Sequence, residues 1–246
     1  MDLCTYHSHC NFCDGKAPAE DFVKAAIEAG FHSYGISSHS PLPFETRWSL
    51  SKGNVEVYLT EIKRLQEKYA GQIELYVGME IDYLNDDWGP AVEYFQRMPL
   101  DYHIGSVHLV TEEQTGEIMD MDGMFEDFRE NLRLVFHDDL RYLVEAYFKA
   151  SSRMVELGGF DFVAHLDKIS MNGSLMDSTL TEQEWYNRLL WDYMSLIAKK
   201  GVMVEVNTKA YTKKGMMFPN VKYFKWLKEL NIPVMVNSDA HLPQLV

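Results

Sequence analysis

Cysteine is scarce in this chain, and its placement excludes a disulfide framework. Only Cys4, Cys10 and Cys13 occur in 246 residues, an odd number crowded close to the amino terminus, whereas disulfide-stapled secreted folds spread paired cysteines along the chain. Cys10 and Cys13 have C-x-x-C spacing, but Asp14-Gly15 turns the chain at once where a redox pair would open a helix; the thiols read as incidental. Basic residues are also in short supply. Lys and Arg number 23 against 37 Asp and Glu, a net charge of −14, the wrong sign for holding nucleic acid or an anionic membrane by bulk electrostatics. A phosphate group would have to be met by a local positive site. Apolar runs of about 18 residues are missing, and the start Met-Asp-Leu-Cys-Thr-Tyr-His lacks the basic and apolar regions of a signal peptide, so a cytoplasmic location is expected. No Pro/Gly/Ser-rich linker, repeat or low-complexity stretch interrupts residues 1–246, which read as one domain, and 46% hydrophobic with 24% charged residues is an ordinary globular balance.

Short apolar runs alternate with longer segments of helical period, the pattern of βα units around a parallel sheet. The runs are residues 3–7, 33–37, 73–80, 102–108, 162–165, 202–206 and 233–237. Helices are expected over 18–30, 54–69, 88–97, 124–157 with one break, 181–200 with Thr181 and Glu184 as a capping box, and 219–230. The fold class is therefore α/β, a closed or nearly closed parallel barrel.

Each run delivers a metal-ligand residue or an amide at its carboxyl end: His7 and His9, His39, Glu80, His108, His165, Asn207, then Asp239 and His241. Strand carboxyl ends share one face of such a barrel, where active sites are built, so residues far apart in sequence would converge there. His7 and His9, like Asp239 and His241, are two apart and point to one side of an extended strand. Asp14 follows in a turn close enough to serve the same pocket. His103 and His108 are five apart, so only one can face it; His108 is chosen for its position at the strand end, and His103, His32 and His137 read as structural. Nine such ligands exceed what one tetrahedral zinc uses, and mixed imidazole and carboxylate suits zinc, manganese or iron better than calcium or magnesium. Two ions about 3.5–4 Å apart can activate water for in-line displacement at phosphorus. Phosphoester hydrolysis leads, with metal-dependent amide or lactone hydrolysis as the rival.

The set His7-Ser-His9, Ser38-His39-Ser40-Pro41, Gly78-Met-Glu80-Ile-Asp82-Tyr83, Gly105-Ser-Val-His108, His165-Leu-Asp-Lys168, Glu205-Val-Asn207-Thr208 and Asn237-Ser-Asp239-Ala-His241 resembles the PHP (polymerase and histidinol phosphatase) superfamily. The Pro41-Leu-Pro-Phe44 loop, the Glu61-Ile-Lys-Arg-Leu helix and the Gly-Met-Glu-Ile-Asp-Tyr strand are most similar to its monofunctional histidinol-phosphatases. The resemblance implies a distorted (β/α)7 barrel with three divalent ions (zinc, manganese or iron): His7, His9, Glu80 and Asp239 on one, Asp14, His39 and His241 on a second, and Glu80, His108 and His165 on a third. Glu80 would bridge, and Glu80 and Asp239 carry the catalytic assignment. A hydroxide bridging two ions would attack phosphorus in line. Arg47, Lys168 and Lys209 are candidate phosphate contacts, and Asn207 a candidate substrate or supporting contact. The implied reaction is hydrolysis of L-histidinol phosphate in histidine biosynthesis. Alternatives are another small phosphoester, such as a nucleotide or sugar phosphate, and an idle or nucleic-acid-associated module like those attached to DNA polymerases, disfavoured by the intact ligand set and the lack of a polymerase region. Nucleic-acid and membrane partners are not expected.

Val246 lies only five residues past His241, whereas a (β/α) barrel normally covers its last strand with a helix. Val234 and Val236 are expected beside an open groove, either because the chain is a shortened version lacking its last helix or because neighbouring helices or a second subunit, as in a homodimer, cover the strand.

Overall fold

The computed structural model describes residues 3–246. Seven parallel strands form one sheet in the order β1 (Cys4–Thr5), β2 (Ser33–Ile36), β3 (Glu74–Asp82), β4 (Tyr102–Ser106), β7 (Phe162–Val163), β8 (Met203–Asn207) and β9 (Val234–Asn237), while β5 (Leu109–Thr111) and β6 (Ile118–Asp120) make a separate antiparallel hairpin. The sheet curls into a nearly closed barrel. At the seam, the Asn237 side chain accepts from the Tyr6 backbone N–H at 2.8 Å, and farther along the His9 N–H donates to the Ala240 carbonyl at 2.8 Å. This is an α/β fold of distorted (β/α)7 type.

Strand pleat sorts the side chains. Along β3 and β4, Met79 and Ile81 face an outer helix layer while Tyr76, Tyr102 and Ile104 face inward. Tyr102, Ile104, Phe162 and Ala164, with Tyr6, Tyr76, Met203 and Met235 against them, fill the barrel toward its amino end. Two glycines make room for the largest plug: a Cβ on Gly35 or on Gly78 would come within 2.2 Å of the Tyr102 side chain. The Tyr102 hydroxyl donates to the Tyr6 carbonyl at 2.6 Å, so its buried polar end is satisfied. With the lower barrel packed by hydrocarbon, the polar residues occupy the carboxyl end.

Helices cover the outside through apolar stripes. Phe22, Val23 and Ala26 of α1 (Ala19–Glu28) and Tyr58, Leu59, Ile62 and Leu65 of α2 (Val55–Lys68) bury against β2 and β3. A second, larger core joins α4 (Phe125–Val135), α5 (Leu140–Leu157), α7 (Glu184–Lys200) and α9 (Phe224–Glu229) to the other side. The break expected in 124–157 falls at His137 and Asp138, both at positive φ, and Asp139 caps α5 by accepting from the Tyr142 N–H.

Several sequence expectations are corrected. The 88–97 segment holds only a short α3 (Glu93–Gln96), because Asn85 to Trp88 form a turn and Pro90 lacks the N–H a helix interior needs. Thr181 and Glu184 form no capping box: Leu180–Glu182 is a 3₁₀ turn, and α7 starts from an extended Gln183 without a side-chain cap. The 219–230 helix is a 3₁₀ turn at Val221–Tyr223 followed by α9. The hairpin, α6 (Ser170–Met176) and the short α8 (Tyr211–Lys214) were not anticipated. Val234 and Val236 are 48% and 58% exposed, and the closing turn Pro243–Leu245 packs by α1 instead of over β9.

Candidate metal centre

Glu80, fully buried on the inner face of β3, is the hub of the carboxyl end. Its Oε2 lies 3.2 Å from His7 Nε2, 3.4 Å from His9 Nε2 and 2.9 Å from His39 Nδ1. Its Oε1 lies 2.9 Å from His165 Nε2 and 3.6 Å from His108 Nε2. One carboxylate thus faces five imidazoles, divided between its two oxygens. Asp239 Oδ1 sits 3.3 Å from His9 Nε2, and Asp14 Oδ1 lies 3.1 Å from His241 Nε2 and 3.7 Å from His39 Nε2.

All nine ligands proposed from sequence meet here. Three sets have ligand atoms lying within 4.8 Å of one another: His9, Asp14, His39 and His241; His7, His9 and Asp239; and His39, Glu80 and His108. The grouping differs from the resemblance-implied one in four respects: His9 joins the Asp14 set, Glu80 is absent from the His7 set, His39 joins the Glu80 and His108 set, and His165 falls in none. His39 stands between two sets, one ring nitrogen toward Asp14 and the other toward Glu80, while His165 approaches Glu80 alone. Beyond β1 the chain makes only an isolated bridge, Ser8 to Ala240, yet the His7 and His9 rings still share a side, 5.1 Å apart. β4 ends at Ser106, before strand parity could reach His108; His103 is excluded because its ring turns to the Phe95 carbonyl.

Local backbone departs from low-energy conformations here: Asp239 has φ 47° and His165 φ 22°, a strain that surrounding bonds must hold. The His165 N–H donates to Glu205 Oε2 at 3.0 Å, and Asp239 Oδ2 accepts from Asn207 Nδ2 at 3.0 Å.

Supporting carboxylates were missed at the sequence level. Glu205 contacts His7 Nδ1 at 2.7 Å and Asp82 contacts His108 Nδ1 at 2.9 Å, the outer partners that orient ligating imidazoles. Inward-facing alternation from Asn207 and from Glu80 is the signal that could have found them. Burial opposes charge on His7, but Glu205, Glu80 and Asp239 together hold its pKa well above the ordinary value. Burial likewise opposes charge on His108, and Asp82 and Glu80 push it up to about 10. Burial, then the charges of His39 and His241, lower His9. Against burial, His7, His39 and His108 hold Glu80 well below the usual carboxylate range.

The donor set fits divalent ions. His7 Nε2, His9 Nε2, His39 Nδ1, Glu80 Oε2 and Asp14 Oδ1 are buried with no hydrogen-bond partner; the close approaches to Glu80 Oε2 lack hydrogen-bond geometry, whereas Oε1 is bonded to His165 Nε2 at 2.9 Å, and buried polar atoms are seldom left unpartnered. Lone pairs turned toward common points on mixed N and O donors are what metal coordination requires.

Beside the cluster opens a pocket of about 600 Å³ lined by Asp14, His39, His108, Asp239 and His241 together with Trp48, Asp120, Lys168 and Lys209. Lys168 is buried with Nζ 3.1 Å from Asp122, and Lys209 Nζ lies 3.3 Å from Asp239. Asn207 does not line the pocket; it bonds Glu205 and Asp239, so it positions ligands. Arg47 is exposed and faces an adjoining cleft with Phe44, Thr46 and Leu109.

The chain matches the PHP domain family over residues 5–209 and belongs to it. Its class is that of a PHP-family metal-dependent phosphoesterase, similar to histidinol-phosphatases. It is 24% identical over 260 residues to the histidinol-phosphatase of Bacillus subtilis (strain 168), an alignment covering 96% of this chain and 92% of the relative. A solved Listeria monocytogenes structure shares 23% identity with TM-score 0.83, covering 99% of this chain and 97% of the other. Histidinol phosphate phosphatase from Lactococcus lactis, crystallised with zinc, L-histidinol and phosphate, shares 20% identity with TM-score 0.67, covering 98% and 86%. At these identities the solved structures establish the fold. Separately, no helix among the described residues is long and apolar enough to cross a membrane.

Proposed function

We propose that this protein hydrolyses L-histidinol phosphate to L-histidinol and inorganic phosphate, using three divalent ions of zinc, manganese or iron. The observation that carries the reading is the Glu80 hub, whose two oxygens face separate groups of imidazoles as a bridging ligand's would. The Bacillus subtilis relative named a histidinol-phosphatase and the zinc-, histidinol- and phosphate-bound Lactococcus lactis structure support the substrate. His7, His9, Glu80 and Asp239 would hold one ion, Asp14, His39 and His241 another, and Glu80, His108 and His165 a third. Bound divalent ions supply water activation at neutral pH and offset charge on phosphoryl oxygens. Glu205 and Asp82 keep His7 and His108 turned so that Nε2 faces Glu80. Lys168 and Lys209 bring ammonium groups to the pocket, giving an acidic protein the local positive site a phosphate needs.

Purified protein resupplied with metal should contain close to three ions and release phosphate from L-histidinol phosphate, with loss of activity on chelation. A different phosphomonoester, such as a nucleotide or sugar phosphate, turned over far more efficiently would refute the substrate. No turnover of any phosphoester by metal-replete protein would refute the reading as a whole.

A further inference from the structure

The pocket holds one carboxylate that lies outside the proposed metal set and, among the described residues, forms no ion pair with a basic side chain. Of the aspartates lining it, Asp14 pairs with His39 and His241, Asp122 with Lys168, and Asp239 with Lys209. Asp120, the last residue of β6, has no basic partner among the described residues. Its two oxygens instead accept from neutral donors: Oδ2 from the Trp48 indole N–H at 3.0 Å, and Oδ1 from the Asp122 backbone N–H at 3.1 Å. Burial raises its pKa above the ordinary carboxylate value, outweighing the Asp122 N–H bond and the nearby His108 charge that oppose the rise.

The position is fixed by packing. Trp48 stands edge-on to His39 and to His108, with ring centroids 5.0 Å and 5.6 Å away. The hairpin carrying Asp120 is tied down by the Met121 N–H, which donates to the His108 carbonyl at 3.0 Å. A carboxylate and an indole thus stand together at the rim of the imidazole cluster, while the lysines Lys168 and Lys209 also line the pocket. A phosphate drawn to the cluster and its lysines leaves the rest of the ligand to meet this wall. An oriented carboxylate next to an aromatic ring is a receptor for a cation: it offers charge-assisted hydrogen bonds and the ring's negative face.

We propose that Asp120, held in place by Trp48, receives a cationic group of the substrate, so that the pocket selects phosphomonoesters whose alcohol portion carries an ammonium or imidazolium. This rests on the phosphomonoesterase reading of the same pocket and assigns its specificity to a residue outside the metal set.

The test compares metal-loaded wild type, Asp120→Asn and Asp120→Glu on a matched pair, O-phosphoethanolamine and ethyl phosphate, with L-histidinol binding followed by calorimetry. Wild type should prefer the amino-bearing ester. Asp120→Asn should lower the kcat/KM ratio of the pair about tenfold or more, as expected for loss of a hydrogen bond to a charged group, and weaken L-histidinol by a similar factor; Asp120→Glu should restore most of both. A wild type without preference, or an Asn variant with an unchanged ratio and unchanged L-histidinol affinity, would overturn the proposal. Should wild type spare histidinol phosphate yet show an Asp120-dependent preference within the pair, the substrate named above falls and this assignment stands.

Discussion

Replacing Glu205 by Gln tests whether the ligand imidazoles are held by outer partners, and the structure sets the size of the effect. The fully buried Glu205 accepts four hydrogen bonds: from His7 Nδ1 at 2.7 Å and Asn237 Nδ2 at 2.9 Å on Oε1, and from the His165 N–H at 3.0 Å and Asn207 Nδ2 at 2.9 Å on Oε2. A glutamine amide has one oxygen, so its NH₂ must face donors whichever way it flips. Toward Oε2 it meets a backbone N–H that cannot change character. Toward Oε1 it forces His7 to carry its proton on Nε2, which removes the lone pair facing Glu80. Breaking one side of a buried ion pair costs about 3–5 kcal/mol, or about 6–20 °C in melting temperature for a chain of this size, and loss of an outer partner weakens metal binding about 10- to 100-fold. Thermal melts of the metal-free protein and competitive chelator titrations measure the two effects separately. A Glu205→Gln protein melting within about 1 °C of wild type, with unchanged ion content and affinity, would show that the outer carboxylate does not orient His7.

Glu80→Gln should abolish phosphate release more completely than Asp14→Asn, because Glu80 faces five imidazoles and Asp14 two; equal losses in steady-state assays with matched metal content would refute the bridging role. Metal loading at pH 7 should release protons, since His7 and His108 have raised pKa values in the metal-free protein, His108 at about 10, and ligating imidazoles must be neutral. Calorimetry in two buffers of different ionisation enthalpy reads the number, and zero would contradict the assignment. Asp167 is fully buried and burial pushes its carboxyl up to about 7, so the folded chain binds more protons than the unfolded one and stability falls as pH rises from about 4 through 7. Asp167→Asn should remove that slope, a difference approaching about 4 kcal/mol by pH 8, and parallel melting curves for the two proteins between pH 5 and 8 would refute it.

The barrel was legible because parallel strands read as unbroken apolar runs, even in β9 where Val234 and Val236 are exposed, and each of the seven occupies its expected place in the sheet. What escaped notice depended on contacts between distant segments. The β5–β6 hairpin is only three residues per strand, too short for alternation to register, and it is held by Trp48 from a distant segment and by packing of Met119 and Met121 in the helix core. The Thr181 capping box failed for a similar reason. The Thr181 carbonyl accepts from Asn187 Nδ2 and Lys222 Nζ, which fix the 3₁₀ turn that displaces the helix start.

At the site, the convergence of the proposed ligands was legible because metal chemistry demands rare residue types at strand ends, whereas the carboxylates that orient their imidazoles are common types in ordinary strand positions. Glu205 and Asp82 alternate inward like any barrel residue, and only the distances of 2.7 Å and 2.9 Å to Nδ1 of His7 and His108 separate them from structural carboxylates. Asp120 carries no sequence signal: its importance comes from what it lacks, a positive neighbour, and that is visible only after every other pocket aspartate has been matched to a partner. The metal set and the specificity wall also stand on unequal supports. The proposed ligands sit on a barrel whose lower interior is packed solid by Tyr102, Phe162 and their neighbours, while Asp120 is carried by a small hairpin outside the barrel sheet, with Met119 and Met121 buried in the helix core and the Trp48 indole bonded to its carboxylate. Substitution of the Asp120 side chain can therefore change which alcohol the pocket accepts while leaving the geometry around Glu80 in place, the division of labour expected when function is carried by loops on a rigid scaffold.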